Sequence, residues 1–186
     1  MLKKELKNIL SSKIAILDGA MATMIQEKKL LEDDFRGKEF KNFNTDLKGN
    51  NDLLNITQPE LIKDIHKSFL LAGSDFIETN TFNSNSISQS DYSLEEKSYE
   101  LNLQGARIAK EAIKELQKEA YVIGSIGPTN RSASFSPDVS DPTSRNVLFD
   151  QLVKSYKESI NGLMDGGSDL LMFETIFDTL NVKAGI

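Results

Sequence analysis

Two stretches of this chain share one plan: Gly73-Ser74-Asp75-Phe76-Ile77-Glu78-Thr79 and Gly167-Ser168-Asp169-Leu170-Leu171-Met172-Phe173-Glu174-Thr175. Each sets a glycine after a helical pattern, then an apolar strand-like run, then Glu-Thr. Such an internal repeat is how one βα unit hands over to the next strand, and it restricts the chain to parallel strands joined by helical crossovers. The second run has two more residues between Asp and Glu. Side chains alternate along a strand with period two, so Glu78 and Glu174 keep the same facing. A buried parallel strand is apolar through its body, whereas a carboxylate and a threonine at its C-terminal mouth are placed for ligand contact.

The remaining segments fill in the same pattern. Leu2, Leu6, Ile9 and Leu10 at helical spacing predict a short helix in an N-terminal extension over residues 1–13, packed against the body of the domain. Ile14 to Leu17 predicts a strand ended by Asp18-Gly19, and Ala20 to Lys28 predicts a helix. Residues 30–57 read as a long polar connection, of the kind that often carries function. Pro59 at a first helical turn, with an apolar face of Leu61, Ile62, Ile65, Phe69 and Ala72, predicts a helix closed by Gly73. A helix over 94–118, a strand over 121–126, a polar loop over 131–145, a helix over 148–163 and a strand over 169–174 follow. A last helix starts near Asp178.

The fold class is therefore α/β with parallel βα repeats, as a doubly wound sheet or as a barrel. Polar strand ends followed by long loops suit the functional face of a barrel better. A whole barrel takes about 250 residues, so the 186 residues here amount to about half of a TIM (β/α)8 barrel, roughly four βα units.

Composition excludes several classes of function. A content of 39% hydrophobic and 27% charged residues suits one globular unit over 1–186. No apolar run approaches the roughly 18 to 20 residues that cross a bilayer, and the N-terminus lacks a signal-peptide hydrophobic segment, which predicts a cytoplasmic protein with no membrane partner. With 22 Lys plus Arg against 28 Asp plus Glu, a net charge of −6 and no basic cluster, nucleic acid is not an expected partner. The lack of cysteine removes disulfides and thiolate metal ligands. The single histidine, His66, reads as a surface or packing residue of its helix.

The candidate site residues each carry two readings. Asp18 is either an N-cap of the helix that follows or an acceptor for an amine, with backbone N–H groups beyond it free for a carboxylate. Glu174 and Glu78 either fix an ammonium group or serve as structural carboxylates. Asn80, Asn83 and Asn130 are either uncharged hydrogen-bonding groups for a polar ligand or turn formers. Residues 48–52, Lys-Gly-Asn-Asn-Asp, read most simply as a solvated turn, or else as a pocket lining.

Taken in order, Ile16-Leu-Asp-Gly-Ala-Met-Ala-Thr-Met-Ile-Gln26, Asp33-Asp-Phe-Arg-Gly37, Asp46-Leu-Lys-Gly-Asn-Asn-Asp-Leu-Leu54, Ile77-Glu-Thr-Asn-Thr-Phe-Asn-Ser84, Gly127-Pro-Thr-Asn-Arg131, Ser136-Pro-Asp-Val139 and Glu174-Thr-Ile-Phe-Asp-Thr-Leu-Asn181 resemble the N-terminal homocysteine-binding domain of cobalamin-dependent methionine synthases. The resemblance runs from about Lys13 onward. It implies a TIM barrel in which zinc, held by three cysteines, binds homocysteine as a thiolate that takes a methyl group from methylcobalamin on another domain. It also implies that Asp18 and Glu174 hold the amino end of homocysteine, with the backbone at Gly19 and Ala20 near its carboxylate and Asn80 and Asn130 close by. Ala20 and Ala22 stand where the family usually has glycine, which narrows the approach of a ligand.

The family's zinc-binding cysteines belong to the second half of the barrel. The expectation is accordingly an N-terminal half that binds no zinc or cobalamin itself, has no catalytic residue of its own and is inactive alone. Its expected partners are homocysteine, the remaining half of the barrel, the cobalamin and folate domains of a parent enzyme, and a second copy through self-association. The alternatives are a subunit of a split protein and a small non-catalytic α/β amino-acid-binding module.

Overall fold

The computed structural model describes residues 2–186, so Met1 of the expected N-terminal extension lies outside the described residues. In chain order the elements are α1 (Leu2–Ser12), α2 (Met21–Glu27), α3 (Glu32–Arg36), α4 (Leu54–Thr57), α5 (Pro59–Ala72), β1 (Phe76–Glu78), α6 (Ser86–Gln89), α7 (Ser98–Leu116), β2 (Tyr121–Ile126), α8 (Phe149–Asp165), β3 (Leu170–Phe173) and α9 (Thr179–Gly185). The strands form one parallel sheet in the order β1-β2-β3, with Phe76 opposite Tyr121 and Ile123 opposite Leu170. Consecutive parallel neighbours joined by α7 and α8 are the winding of a barrel wall.

The strand expected over Ile14 to Leu17 is reduced to an isolated parallel bridge between Leu17 and Phe76. The N–H groups of Asp75 and Phe76 donate to the Ile16 carbonyl at 2.8 and 3.1 Å, and Asp18 N–H donates to the Phe76 carbonyl at 2.9 Å. Among the described residues this segment pairs only with the β1 side. Ile14 stands 91% exposed, so little apolar packing straightens the run into a regular strand.

Helix α5 begins on Pro59 at its first turn and ends on Gly73, whose φ of 108° is left-handed and lets its N–H close back on the Phe69 carbonyl at 3.1 Å. Its buried Ile62 and Ile65 join Leu101 and Ile108 of α7 in one core cluster. A second cluster gathers Ile126 of β2, Leu152, Tyr156 and Leu163 of α8, and Ala184 of α9. Between α7 and α8 the backbones approach so closely that a Cβ on Gly162 would stand 2.5 Å from the Tyr99 carbonyl oxygen.

The 30–57 segment is far from a simple polar connection. It contributes Phe35, Phe40, Leu47, Leu53 and Leu54 to the first core cluster. The Arg36 guanidinium pairs with Glu32 at 2.7 Å and donates to the carbonyls of Phe43 and Thr45, while the Glu32 carboxylate accepts Leu47 N–H at 2.9 Å. These apolar residues are spaced too irregularly to show a period, and the charged pair that folds them inward is itself polar. Among the described residues no helix is long and apolar enough to cross a membrane.

Candidate amino-acid site at the strand ends

Each parallel strand delivers its last residues to the same rim. Asp18 follows the Leu17 bridge, Glu78 closes β1, Ser125 lies near the end of β2, and Glu174 follows β3. All four line a cavity of about 450 Å³, together with Gly19, Ala20, Asn51, Asp52 and Asn80 among others. No lysine, arginine or histidine is among its lining residues.

Asp18 does not cap α2. The N-cap is Ala20, with no side-chain cap hydrogen bond, and Asp18 Oδ1 instead accepts Glu78 N–H at 2.9 Å. Burial pushes the Asp18 carboxyl up to about 7, with hydrogen bonds from Glu78 and from its own backbone opposing it. Glu78 is also pushed up to about 7, first by burial and then by the negative charges of Glu174 and Asp18, which line the same cavity. Ser125 Oγ donates to Glu174 Oε1. Ser125 is held in turn by Thr79 Oγ1, which accepts its N–H at 3.0 Å, and by Thr81 Oγ1, which donates to its carbonyl at 2.7 Å. The equal facing inferred for Glu78 and Glu174 is thus what lets both line one cavity across β2.

The Lys48 to Asp52 segment is a pocket wall and not a solvated turn. Asn50 is buried, and Asp52 is only 3% exposed, its Oδ1 accepting Asn83 N–H and Ser84 Oγ–H, each at 2.8 Å. Burial pushes Asp52 up to about 6. Sequence reasoning reached Asp52 only as the last residue of a possible pocket-lining segment and did not reach Ser125; the available signal was a lone carboxylate embedded in Asn-Asp-Leu-Leu, between polar and apolar runs.

Asn80 lines the cavity, yet its Nδ2 donates to the Asn51 carbonyl at 2.7 Å and to Asn55 Oδ1 at 3.2 Å, so it ties the strand-end loop to the long segment. Asn83 also lines the cavity. Asn130 is not brought to Asp18 and Glu174. It is exposed, donates Nδ2 to Asp91 Oδ2 at 2.7 Å and faces a separate cavity of about 160 Å³. The Gly127-Pro128 turn that precedes it carries the chain across Phe82, where a Cβ on Gly127 would stand 2.3 Å from the Phe82 carbonyl oxygen. His66 is wholly buried with neither ring nitrogen hydrogen-bonded, and burial lowers it to about 4.

A thiolate-held zinc does not fit these residues. The sequence has no cysteine, and among the described residues no group of three His, Cys, Asp or Glu side chains is arranged to hold a metal ion. What the rim offers instead is oxygen acceptors for a cationic, hydrogen-bond-donating group of a small ligand.

Consecutive parallel βα units with an acidic cavity at their C-terminal ends make up about half of a TIM barrel. Residues 15–186 match the model of the homocysteine S-methyltransferase family, and the chain belongs to that family. The fold is similar to the homocysteine methyltransferase MmuM from Escherichia coli: the metallated form superposes with a TM-score of 0.70 at 21% identity, over 96% of this chain and 60% of that one. The oxidized form gives 0.69 at 21% identity, over 96% and 59%. The apo form gives 0.62 at 20% identity, over 95% and 55%. The chain therefore spans between 55% and 60% of the length of these solved methyltransferases.

Proposed function

We propose that this chain is the amino-acid-gripping half of a homocysteine domain of the methionine synthase type, working in the cytoplasm. In this reading Asp18 and Glu174 hold the ammonium group of homocysteine, the backbone at Gly19 and Ala20 faces its carboxylate, and the cavity walls exclude water around the chain of the substrate. The zinc that activates the sulfur and the cobalamin that carries the methyl group belong to parts of a larger assembly. Alone, the chain orients substrate and transfers nothing.

One observation carries the reading: carboxylates from three separate strand ends converge on a single cavity whose lining includes no basic side chain. A zwitterionic amino acid supplies the missing positive charge and the donors. Calorimetry with L-homocysteine and with its analogue lacking the amino group tests it. Binding of the first and not the second is expected; equal binding would refute the assignment. A turnover assay with homocysteine and methylcobalamin tests the second part, since methionine formation by this chain alone would refute its inactivity.

The exposed apolar residues Met164 of α8 and Leu171 of β3, 60% and 40% exposed, support a further part of the proposal, that this side of the sheet docks against the remaining barrel half or a second copy. Light scattering tests it: a clean monomer that also ignores the complementary half would count against both.

A further inference from the structure

Carboxyl groups that crowd one cavity repel when all are ionised, and a proton held among them relieves the repulsion, because an ionised carboxylate only accepts. Glu78 and Glu174 line one cavity with Asp18 and Asp52, and the charges of Glu174 and Asp18 act on Glu78. The Ser125 hydroxyl donates to Glu174 Oε1, which favours the ionised form of Glu174, while burial and the charges of Glu174 and Asp18 favour the protonated form of Glu78. Asp18 faces the pair from the segment before α2, with its Oδ1 on the Glu78 N–H, and Asp52 faces it from the long segment. Thr79, Asn80 and Ser125 complete the near wall as neutral groups. No lysine, arginine or histidine lines the cavity, so its positive charge comes either from protons or from a ligand.

We propose that Glu78 is the proton-exchange residue of the amine subsite: a proton bridges Glu78 and Glu174 in the free cavity, and the ammonium group of a bound amino acid replaces it. The inference rests on the amino-acid reading above. An ammonium brings three N–H donors, and the acceptors waiting at this rim are the carboxylates of Glu78, Glu174 and Asp18. On binding, the Glu78 O–H bond breaks, its electron pair stays on the carboxylate, and the proton passes to a base in the surrounding buffer. No bond of the ligand is made or broken. Exchange keeps one positive charge beside these acids, the proton in the free cavity and the ammonium in the bound one, so a cluster of acids this dense need not repel itself apart in either state. Burial and its acidic neighbours push the Glu78 carboxyl up to about 7, so the proton is present near neutrality.

Glu78 serves here as a specificity residue. A neutral ligand of the same shape leaves the bridging proton where it is and forfeits the exchange.

The test uses the whole chain, labelled with 13C at the glutamate side-chain carboxyls, titrated from acid to alkaline pH with and without L-methionine, which carries no thiol to titrate. In the free protein Glu78 should titrate with a step near 7. Saturating L-methionine should lower that step by a pH unit or more, and calorimetry in buffers of different ionisation heat should register proton release on binding on the acid side of the step. Glu78→Gln should abolish the step and remove about one proton per ligand from that release, leaving the share of Asp18, while keeping the thermal transition of the fold. If Glu78 titrates as an ordinary glutamate near about 4.3 while L-methionine still binds, proton exchange is overturned and the amino-acid reading stands. A neutral step that saturating L-methionine leaves untouched overturns the two together.

Discussion

The Asp18 carboxylate accepts the backbone N–H of Glu78 at 2.9 Å, so one acid both pins the first strand segment to β1 and faces the ligand cavity. The two duties separate by substitution. Asp18→Ala leaves the Glu78 N–H without its acceptor and should cost about 1 to 2 kcal/mol of stability. Asp18→Asn keeps an acceptor oxygen and removes the charge, and should lose amino-acid affinity while holding the fold. Asp18 is pushed up to about 7 from 3.8, so the folded state favours its protonated form. That contribution is full below about pH 4 and is lost as pH rises through 7. Chemical denaturation should show Asp18→Asn gaining on the wild type as pH climbs from 4 to 8; a constant difference would contradict it.

His66 makes the opposite prediction. Burial lowers it to about 4 from 6.5, with neither ring nitrogen paired, so folding favours the neutral ring. The stability it supports is intact above pH 6.5 and drains away as pH falls through 4, by up to about 3 kcal/mol on the linkage relation. His66→Leu, which removes two unpaired buried polar atoms, should resist acid unfolding better than the wild type. Urea midpoints at pH 5 and pH 7.5 decide, and an equal shift at both would count against the titration.

Close packing of α7 on α8 depends on Gly162. A Cβ there would stand 2.5 Å from the Tyr99 carbonyl oxygen and 2.8 Å from Asn102 Cβ. Gly162→Ala should therefore destabilise by about 1 to 3 kcal/mol despite the better helix propensity of alanine. At Gly19 a Cβ meets nothing within 4 Å, and Gly19→Ala should change fold stability by less than about 0.5 kcal/mol. Thermal melts of the two variants make the comparison.

Asp178 holds the last helix and the 131–145 loop together. Its carboxylate caps α9 by accepting Leu180 N–H at 2.9 Å and also accepts Ser134 Oγ–H at 2.7 Å and the Ser132 hydroxyl. Burial works to raise this carboxyl, and the donors from Ser132, Ser134 and Leu180 outweigh it, holding it well below the usual range. Its stabilisation is present above about pH 4 and is lost as pH falls further. Asp178→Ala should cost about 1 to 2 kcal/mol, as for other lost caps, and should open the loop to proteases first. Cleavage rates in 131–145 unchanged from wild type would contradict it.

Much of the fold was legible because its signals are local. The helix expected over 148–163 is α8, Phe149–Asp165, and the one over 94–118 is α7, Ser98–Leu116, preceded by a short 3₁₀ turn at Glu95–Lys97. The long segment misled because Phe35, Phe40 and Leu47 enter the core without a period, drawn in by Arg36 and Glu32. The site was half legible. The Glu-Thr repeat marked Glu78 and Glu174, and the run before Asp18 marked a strand end. Nothing near Asn130 in sequence reveals that Asp91 claims its amide.

By itself, the sequence determined the order of strands and helices, the shared facing of Glu78 and Glu174, and the lack of any thiolate, since strand alternation, glycine stops and residue content are properties of short windows or simple counts. Only the tertiary structure decided that Asp18 would bond to a residue sixty positions away, that Asp52 would be buried, and that Glu78 and Glu174 would face one cavity across β2. Those outcomes depend on which strands lie side by side and how closely the helices press on them, and burial, charge and proton sharing follow from that proximity.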